Sequence, residues 1–257
     1  MIHRLGYRAG VRGLHRVGPV GNLLVLAGFL VVGLGTASLF VKLAALFVLF
    51  VLVLLSDVSP REFLGNLRFV FVFAVILFVA QVLSIREGAA LLTFGVPITD
   101  GGLLAGAGMS LRFLVILGSS FLFVTVTDPD RLAHLFIRAG IPYRYGYVLI
   151  LALRFVPFFR DELQTVREAQ RMRGLRTSVR SLSGLRRSIR YTFVPVLVSG
   201  LMRVDSIAMS MKGRCFGLYV KRTSAAPERL RAADGVAAVL AVVLVSVAIL
   251  GRRFAWT

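Results

Sequence analysis

Two arginines, Arg173 and Arg214, each close a long helix-patterned segment inside a strongly basic block of an otherwise apolar chain. Between Asp128 and Arg231, 20 Lys and Arg face 7 Asp and Glu. The two endings read Gln170-Arg171-Met172-Arg173-Gly174-Leu175 and Met211-Lys212-Gly213-Arg214-Cys215-Phe216-Gly217. A guanidinium is planar and carries five donors, so at a helix tip it can bind carboxylates or carbonyls of a partner's groove bidentately. The same arginine also complements the negative end of the helix dipole as a plain surface charge. Residue physics leaves both readings open. Gly174 suits the position after a helix C-cap, where a positive φ is commonly required.

Covalent and metal chemistry have no comparable signal. The chain lacks a Gly-rich loop ending in Lys-Ser/Thr, so it is not expected to hydrolyse ATP itself. It also lacks a His-Glu-x-x-His helix and a glycine-framed serine elbow. His3, His15 and His134 are scattered, and no cofactor or metal is expected from them. Cys215 is the lone cysteine, which excludes an intramolecular disulfide and any cysteine-cluster metal site.

The elements that must position the two arginines are membrane helices. At 57% hydrophobic residues the 257-residue chain is too apolar for an ordinary soluble domain. A net charge of +19 is compatible with nucleic acid, but the basic residues alternate with membrane-length apolar runs instead of lining one soluble face. The reading is therefore a lipid-embedded protein with a cytoplasmic partner and no nucleic acid. Arg4, Arg8, Arg12 and Arg16 precede an apolar run from Val17 to Val41, which is too long for a signal-peptide core and is taken as a retained first span. If helical, those arginines form one stripe suited to an anionic inner leaflet.

A span needs about 20 mostly apolar residues. Five segments qualify, near 18–35, 38–56, 69–83, 111–127 and 233–250. Lys42 and Arg112 lie near predicted span ends and are expected to snorkel outward. Between spans three and four, Gly95, Pro97, Asp100, Gly101 and Gly102 point to a loop with short helical pieces. The distribution of Lys and Arg places the N-terminus, the Asp57 to Arg68 loop and the Asp128 to Arg231 block on the cytoplasmic side of the plasma membrane. The loop with Arg86 and Glu87 and the C-terminal tail fall opposite. The expected fold class is all-α, an integral membrane protein of about five transmembrane helices plus cytoplasmic amphipathic helices. Its regions are 1–127 with four spans, 128–231 in the cytoplasm, and 232–257 with the last span.

Within the basic block, Asp128-Pro129-Asp130 starts a short helix to about Arg138, stopped by Gly140 and Pro142. A second pattern runs from Tyr143 through Arg173, bent at Pro157, with Phe159, Leu163, Val166 and Gln170 on one face. A third spans about Leu185 to Met211, its start kinked by Pro195. There Leu197, Leu201, Val204, Ala208 and Met211 alternate steps of four and three, a seam for packing against another helix. The intervening link, with Ser178, Ser181, Ser183 and Gly184 among arginines, reads as a solvated loop or surface helix. Ser199, Gly200 and Ala208 allow close helix approach, either within this subunit or against another.

These endings, with Ile141-Pro142, Ala152-Leu153-Arg154-Phe155-Val156-Pro157, Glu168-Ala169-Gln170-Arg171-Met172-Arg173-Gly174 and Ala208-Met209-Ser210-Met211-Lys212-Gly213-Arg214-Cys215-Phe216-Gly217, give the chain its resemblance to a known family. The chain resembles the transmembrane T component of energy-coupling factor transporters, the EcfT/CbiQ type of micronutrient importer, from about the first span to the last. The resemblance implies a non-catalytic permease subunit whose two Arg motifs end coupling helices docked into two cytoplasmic ABC-type ATPases. It implies that Met172, Arg173, Gly174, Gly213, Arg214 and Cys215 form the docking endings. It also implies that the rest of those helices packs against a substrate-binding membrane protein, the S component, which selects the vitamin or transition-metal ion. Met172 departs from the family's usual Ala, and Gly213 and Cys215 stand where Ala and Gly or Ser are usual. Two other classes stay open on the residues alone: a channel or carrier acting by itself, for which polar residues in the spans are sparse, and a lipid-acting membrane enzyme, for which no nucleophile or metal cluster is visible.

Overall fold

The computed structural model describes residue 10 and residues 13–85, 90–94, 96–175, 182–219 and 232–254. The Arg4, Arg8 and Arg12 stripe, the Arg86 and Glu87 loop, residues 176–181 of the Arg176 to Arg190 link, residues 220–231 and the tail end lie outside them. The described chain is helical except for one antiparallel hairpin, β1 (Ala90–Phe94) and β2 (Val96–Thr99). It is an all-α membrane protein that divides into two units, Met1–Arg131 with Glu228–Thr257, and Leu132–Pro227.

The first unit holds α1 (Pro19–Gly35), α2 (Leu39–Leu55), α3 (Pro60–Ser84), α4 (Asp100–Val126) and the C-terminal helix (Ala232–Phe254). α1 packs most extensively on the C-terminal helix, and α3 on α4. Small residues set the first seam. A Cβ built on Gly28 would meet the Ala241 backbone at 3.3 Å, and Ala237, Ala241 and Ala248 are buried beside it. Asp234, in the first turn of the C-terminal helix, accepts a hydrogen bond from the Gly18 amide and so caps α1 across the seam. Phe29, Val32, Val53 and Val115 are fully enclosed at the centre of this unit. Its outer face stays apolar, with Phe69, Phe71 and Phe73 of α3 and Val236, Val239 and Val242 of the C-terminal helix exposed, as a lipid solvent requires.

Three expectations are corrected here. α3 and α4 begin at Pro60 and Asp100, well before the predicted span starts, so residues 60–68 and 100–110 are helix and not loop. Gly102, one of the loop signals, serves close packing instead, as does Gly106 one turn on. A Cβ on Gly102 would stand 3.0 Å from the Ile85 carbonyl oxygen, and one on Gly106 would stand 3.0 Å from that of Phe78. Thr99 caps α4 by accepting from the Gly102 amide. Because α4 starts so early, Arg112 falls well inside it. Lys42 is 2% exposed with its Nζ 3.0 Å from the Gly108 carbonyl oxygen, and Arg112 Nε donates to the Gly33 carbonyl oxygen at 2.9 Å. Both side chains therefore turn into the protein rather than snorkel.

By length and composition, four helical stretches among the described residues can cross a membrane: Leu67–Ser84, Asp100–Val126, Gly184–Gly213 and Ala232–Arg252. α1 and α2 are apolar helices of 17 residues, at the short end of the spanning range. The stretch Gly184–Gly213 was expected in the cytoplasmic block, because Arg186, Arg187, Arg190 and Arg203 interrupt its apolar run in the sequence.

The second unit is built on α5 (Pro129–Arg138, which begins in the first unit), α6 (Tyr143–Met172), α7 (Leu182–Ser188) and α8 (Val194–Gly213); the C-terminal helix is α9. The Asp130 amide donates to Asp128 Oδ1 at 3.0 Å, as the Asp-Pro-Asp start requires. Gly140, at φ 108°, ends α5. A π turn, Ile189–Phe193, joins α7 to α8 without a break in the helical run. Pro195 explains it, since the proline has no N–H to give and its ring crowds the Tyr191 carbonyl, which widens the ladder just before it.

Candidate docking site at two helix endings

α6 and α8 run antiparallel. Phe216 stacks on Tyr143 and Tyr147 at centroid separations of 5.4 and 4.9 Å. Farther along, the Arg203 guanidinium lies 5.3 Å from the Phe158 ring centroid, and a Cβ on Gly200 would meet Phe159 Cε1 at 2.5 Å. Residue numbers thus rise on one helix as they fall on the other. Gly200 is the position where a glycine is needed: Phe159 occupies the space a side chain would take. Phe155, Phe158 and Phe159 form a mutual aromatic cluster at this crossing, with Pro157 inside the same stretch of α6.

The two arginine endings have the same backbone geometry. Arg173 caps α6 at φ −83°, ψ 9°, and Arg214 caps α8 at φ −96°, ψ 18°. After Arg173, the Gly174 amide donates to the Arg171 carbonyl at 2.9 Å and the Leu175 amide to Gln170 at 3.0 Å. After Arg214, the Cys215 amide donates to Lys212 at 3.0 Å and the Phe216 amide to Met211 at 3.0 Å. Both are Schellman closures, with the following residue left-handed: Gly174 at φ 76° and Cys215 at φ 54°. Residue by residue, Gln170 matches Met211, Arg171 matches Lys212, Met172 matches Gly213, and Leu175 matches Phe216. A basic side chain precedes each capping arginine by two positions, and an apolar one follows it by two.

Each ending is a presented surface. Met172 is 90% exposed, and Arg173, Gly174, Gly213, Arg214 and Cys215 are all exposed. Neither the Arg173 nor the Arg214 guanidinium has a hydrogen-bond or ion-pair partner among the described residues, so their donors are unspent at the surface. Because the helices are antiparallel, the endings lie at opposite ends of the pair, separated by roughly the length of α6, about 45 Å at 1.5 Å per residue.

Sequence reasoning missed the backing of the second ending. Arg144 Nη2 donates to the Gly217 carbonyl at 2.7 Å, and Gly217 takes φ 90°. Together with the Phe216 ring contacts this ties the Arg214 ending to the first turns of α6. The run Tyr143-Arg144-Tyr145-Gly146-Tyr147 was the available signal, an aromatic and basic cluster at a helix start. Gly146 lets α5 approach there, since a Cβ on it would overlap Ile137 Cγ1 at 2.0 Å.

The heptad-spaced stripe of α8 is exposed within the chain. Leu197, Leu201 and Val204 are 44%, 56% and 45% exposed, Ala208 is exposed and Met211 is half-buried. Within the chain the contact to α6 is made by Gly200 and Arg203, with Val196 also buried on α8. The heptad-spaced stripe therefore has no helix of its own unit against it. On α6, Pro157, Leu163 and Val166 are half-buried. Among the described residues no group of three or more His, Cys, Asp or Glu could hold a metal ion.

Residues 10–225 match a family model described as CbiQ, cobalt transport protein. The chain is 29% identical over 261 residues to the energy-coupling factor transporter transmembrane protein EcfT of Thermosediminibacter oceani, with 97% of both chains covered. It is 28% identical to the EcfT of Listeria innocua, covering 97% of this chain and 96% of that one. A putative ABC transporter ATP-binding protein of Bifidobacterium longum is 25% identical over 177 residues, 65% of this chain and 23% of that protein.

Proposed function

Because the chain belongs to the CbiQ family of cobalt transport proteins, which it matches over residues 10–225, we propose that it is the coupling subunit of an ATP-driven importer. In this reading Arg173 and Arg214 dock into two ABC-type ATPase subunits, and α6 and α8 carry their motion to a substrate-binding S component. The observation that carries the proposal is the pair of geometrically equal, exposed endings with unspent guanidinium donors at opposite ends of an antiparallel helix pair. Such a pair is related by a local two-fold axis across its middle, which suits a partner that offers two equal grooves. That a segment similar to this chain occurs within a protein named as ATP-binding supports an ATPase partner. The exposed α8 stripe supplies an apolar face for a second membrane protein. The basic block, and with it the N-terminus, is assigned to the cytoplasmic side of a plasma-membrane protein, with the apolar Gly184–Gly213 stretch lying along the membrane so that both endings face the same side. The cargo, a vitamin or a transition-metal ion, is selected by the S component and not by this chain.

The test reverses the motif charges. Arg173→Glu or Arg214→Glu is expected to lower ATPase copurification and substrate uptake together, and the double variant to do so further, since reversing a charge in a hydrogen-bonded groove costs several kcal/mol, on the order of 2–5. Arg187→Glu, on exposed α7 surface, is the control. A double variant that assembles and transports like wild type would refute the docking role.

A further inference from the structure

Lys42 and Arg112 meet on one stripe of α4. The Lys42 ammonium sits on the Gly108 carbonyl, and Arg112 stands one helical turn farther along the same face, its Nε on the Gly33 carbonyl. No carboxylate among the described residues pairs with either. Each therefore donates once to a backbone oxygen, leaving two N–H groups on the ammonium and four on the guanidinium without an acceptor among the described residues. Two adjacent cations inside a membrane bundle normally pair with an anion or mark a site that receives one.

The position of the pair indicates the anion. Gly33 lies in the last turn of α1 and Lys42 in the first turn of α2, on either side of the short connection at 36–38. Each of these helices is 17 residues, about 26 Å, so its ends lie where the hydrocarbon gives way to headgroups. Lys42 is enclosed, whereas Arg112 is only half-buried. The neighbouring surface is apolar, with Leu34 66% and Phe40 80% exposed. What approaches laterally through such a surface is lipid rather than bulk solution.

We propose that Lys42 and Arg112 form a phosphate oxyanion site that takes the headgroup phosphate of an anionic phospholipid at the α1–α2 connection. Arg112 grips the oxygens through its fork, and Lys42, held by Gly108, supplies the second charge from behind in a medium of low dielectric.

The full chain in detergent, titrated with short-chain phosphatidylglycerol, phosphatidylcholine or inorganic phosphate alone, gives the test, read by native mass spectrometry and by thermal melting. Phosphatidylglycerol is expected to be retained and to raise the melting temperature, while phosphatidylcholine and phosphate produce little shift. Arg112→Gln is expected to weaken phosphatidylglycerol binding at least tenfold. Arg112→Lys should retain part of it, and Arg68→Gln, an exposed cation on α3, should leave it unchanged. Lys42→Met should match Arg112→Gln; should it fail to fold, the Arg112 pair decides alone. Equal retention of the two lipids by wild type, or undiminished phosphatidylglycerol binding by Arg112→Gln, overturns the site. A full shift with inorganic phosphate alone overturns the lipid as its source.

Discussion

Cys215 holds a left-handed backbone at φ 54° in the position that Gly174 fills at φ 76° in the matching ending. A residue with a Cβ pays roughly 1–2 kcal/mol for that conformation, and glycine pays almost none. Glycine also gains freedom in the unfolded chain, which returns about 0.4–1 kcal/mol of the benefit. Cys215→Gly should therefore stabilise the closure by about 1 kcal/mol, and Gly174→Cys should destabilise its counterpart by about the same amount. A change of that size alters a local opening equilibrium about fivefold. Hydrogen exchange reads it directly, because the Phe216 amide donates to Met211 and the Leu175 amide to Gln170 only while each closure is intact. Exchange at Phe216 should slow about fivefold in Cys215→Gly, and exchange at Leu175 should quicken about fivefold in Gly174→Cys. Cys215→Ala keeps the Cβ and removes the thiol, so it should behave like wild type. Faster exchange at Phe216 in Cys215→Gly would mean that the thiol, and not the backbone angle, holds the ending.

Phe216→Ala should free the Arg214 ending from α6, with a loss of about 1–3 kcal/mol from buried aromatic contact, seen as increased proteolysis near residues 214–219; Arg144→Ala, whose hydrogen bond is exposed, should do the same more weakly. Gly200→Leu should displace Phe159 and loosen the crossing of α6 and α8 at a cost of about 1–3 kcal/mol, measured as a lower melting temperature, while the same change at exposed Gly213 should not. An impermeant thiol reagent should spare Cys215 in intact cells and label it in inside-out vesicles, and labelling from outside would reverse the proposed orientation.

What the sequence made legible followed from patterns that depend on nearby residues. Asp128-Pro129-Asp130 starts a helix because its capping and dipole terms are local, and Gly174 closes one because only its own φ is at issue. The misreadings came from residues whose role is set across helices. Gly102 looks like a loop residue along the chain, yet with Gly106 it is where α3 comes within van der Waals reach of α4. Lys42 and Arg112 look like residues at span ends, yet the early start of α4 brings both to carbonyls of neighbouring helices. The α8 stripe keeps its predicted period and stays exposed within the chain, while Gly200, one residue away from it, takes the contact with α6.

The matching endings differ in what stands behind them, and that difference bears on how motion would pass through the unit. A lever transmits force only if its tip does not fray, and both tips are closed by the same pair of backbone hydrogen bonds. The Arg214 tip is further fastened to the start of α6 by Arg144, Tyr143 and Tyr147 through Phe216 and Gly217. Displacement at Arg214 therefore moves the beginning of α6 as well as the end of α8. Displacement at Arg173 reaches α8 through α6 itself, across Pro157 and the Phe155, Phe158 and Phe159 cluster that meets Gly200 and Arg203. Pro157 has no N–H to offer the Leu153 carbonyl, so α6 is weakest in bending at that crossing. Equal grooves on a partner would thus pull on unequal levers, one tied rigidly to both helices and one with a joint at its middle. Pro157→Ala, which restores the missing hydrogen bond and stiffens α6, should then change coupling driven from Arg173 more than coupling driven from Arg214. Pairing it in turn with Arg173→Glu and Arg214→Glu and measuring uptake separates the two. If Pro157→Ala has the same effect on uptake in both backgrounds, the levers are mechanically alike and the Arg144 clamp plays no part in transmission.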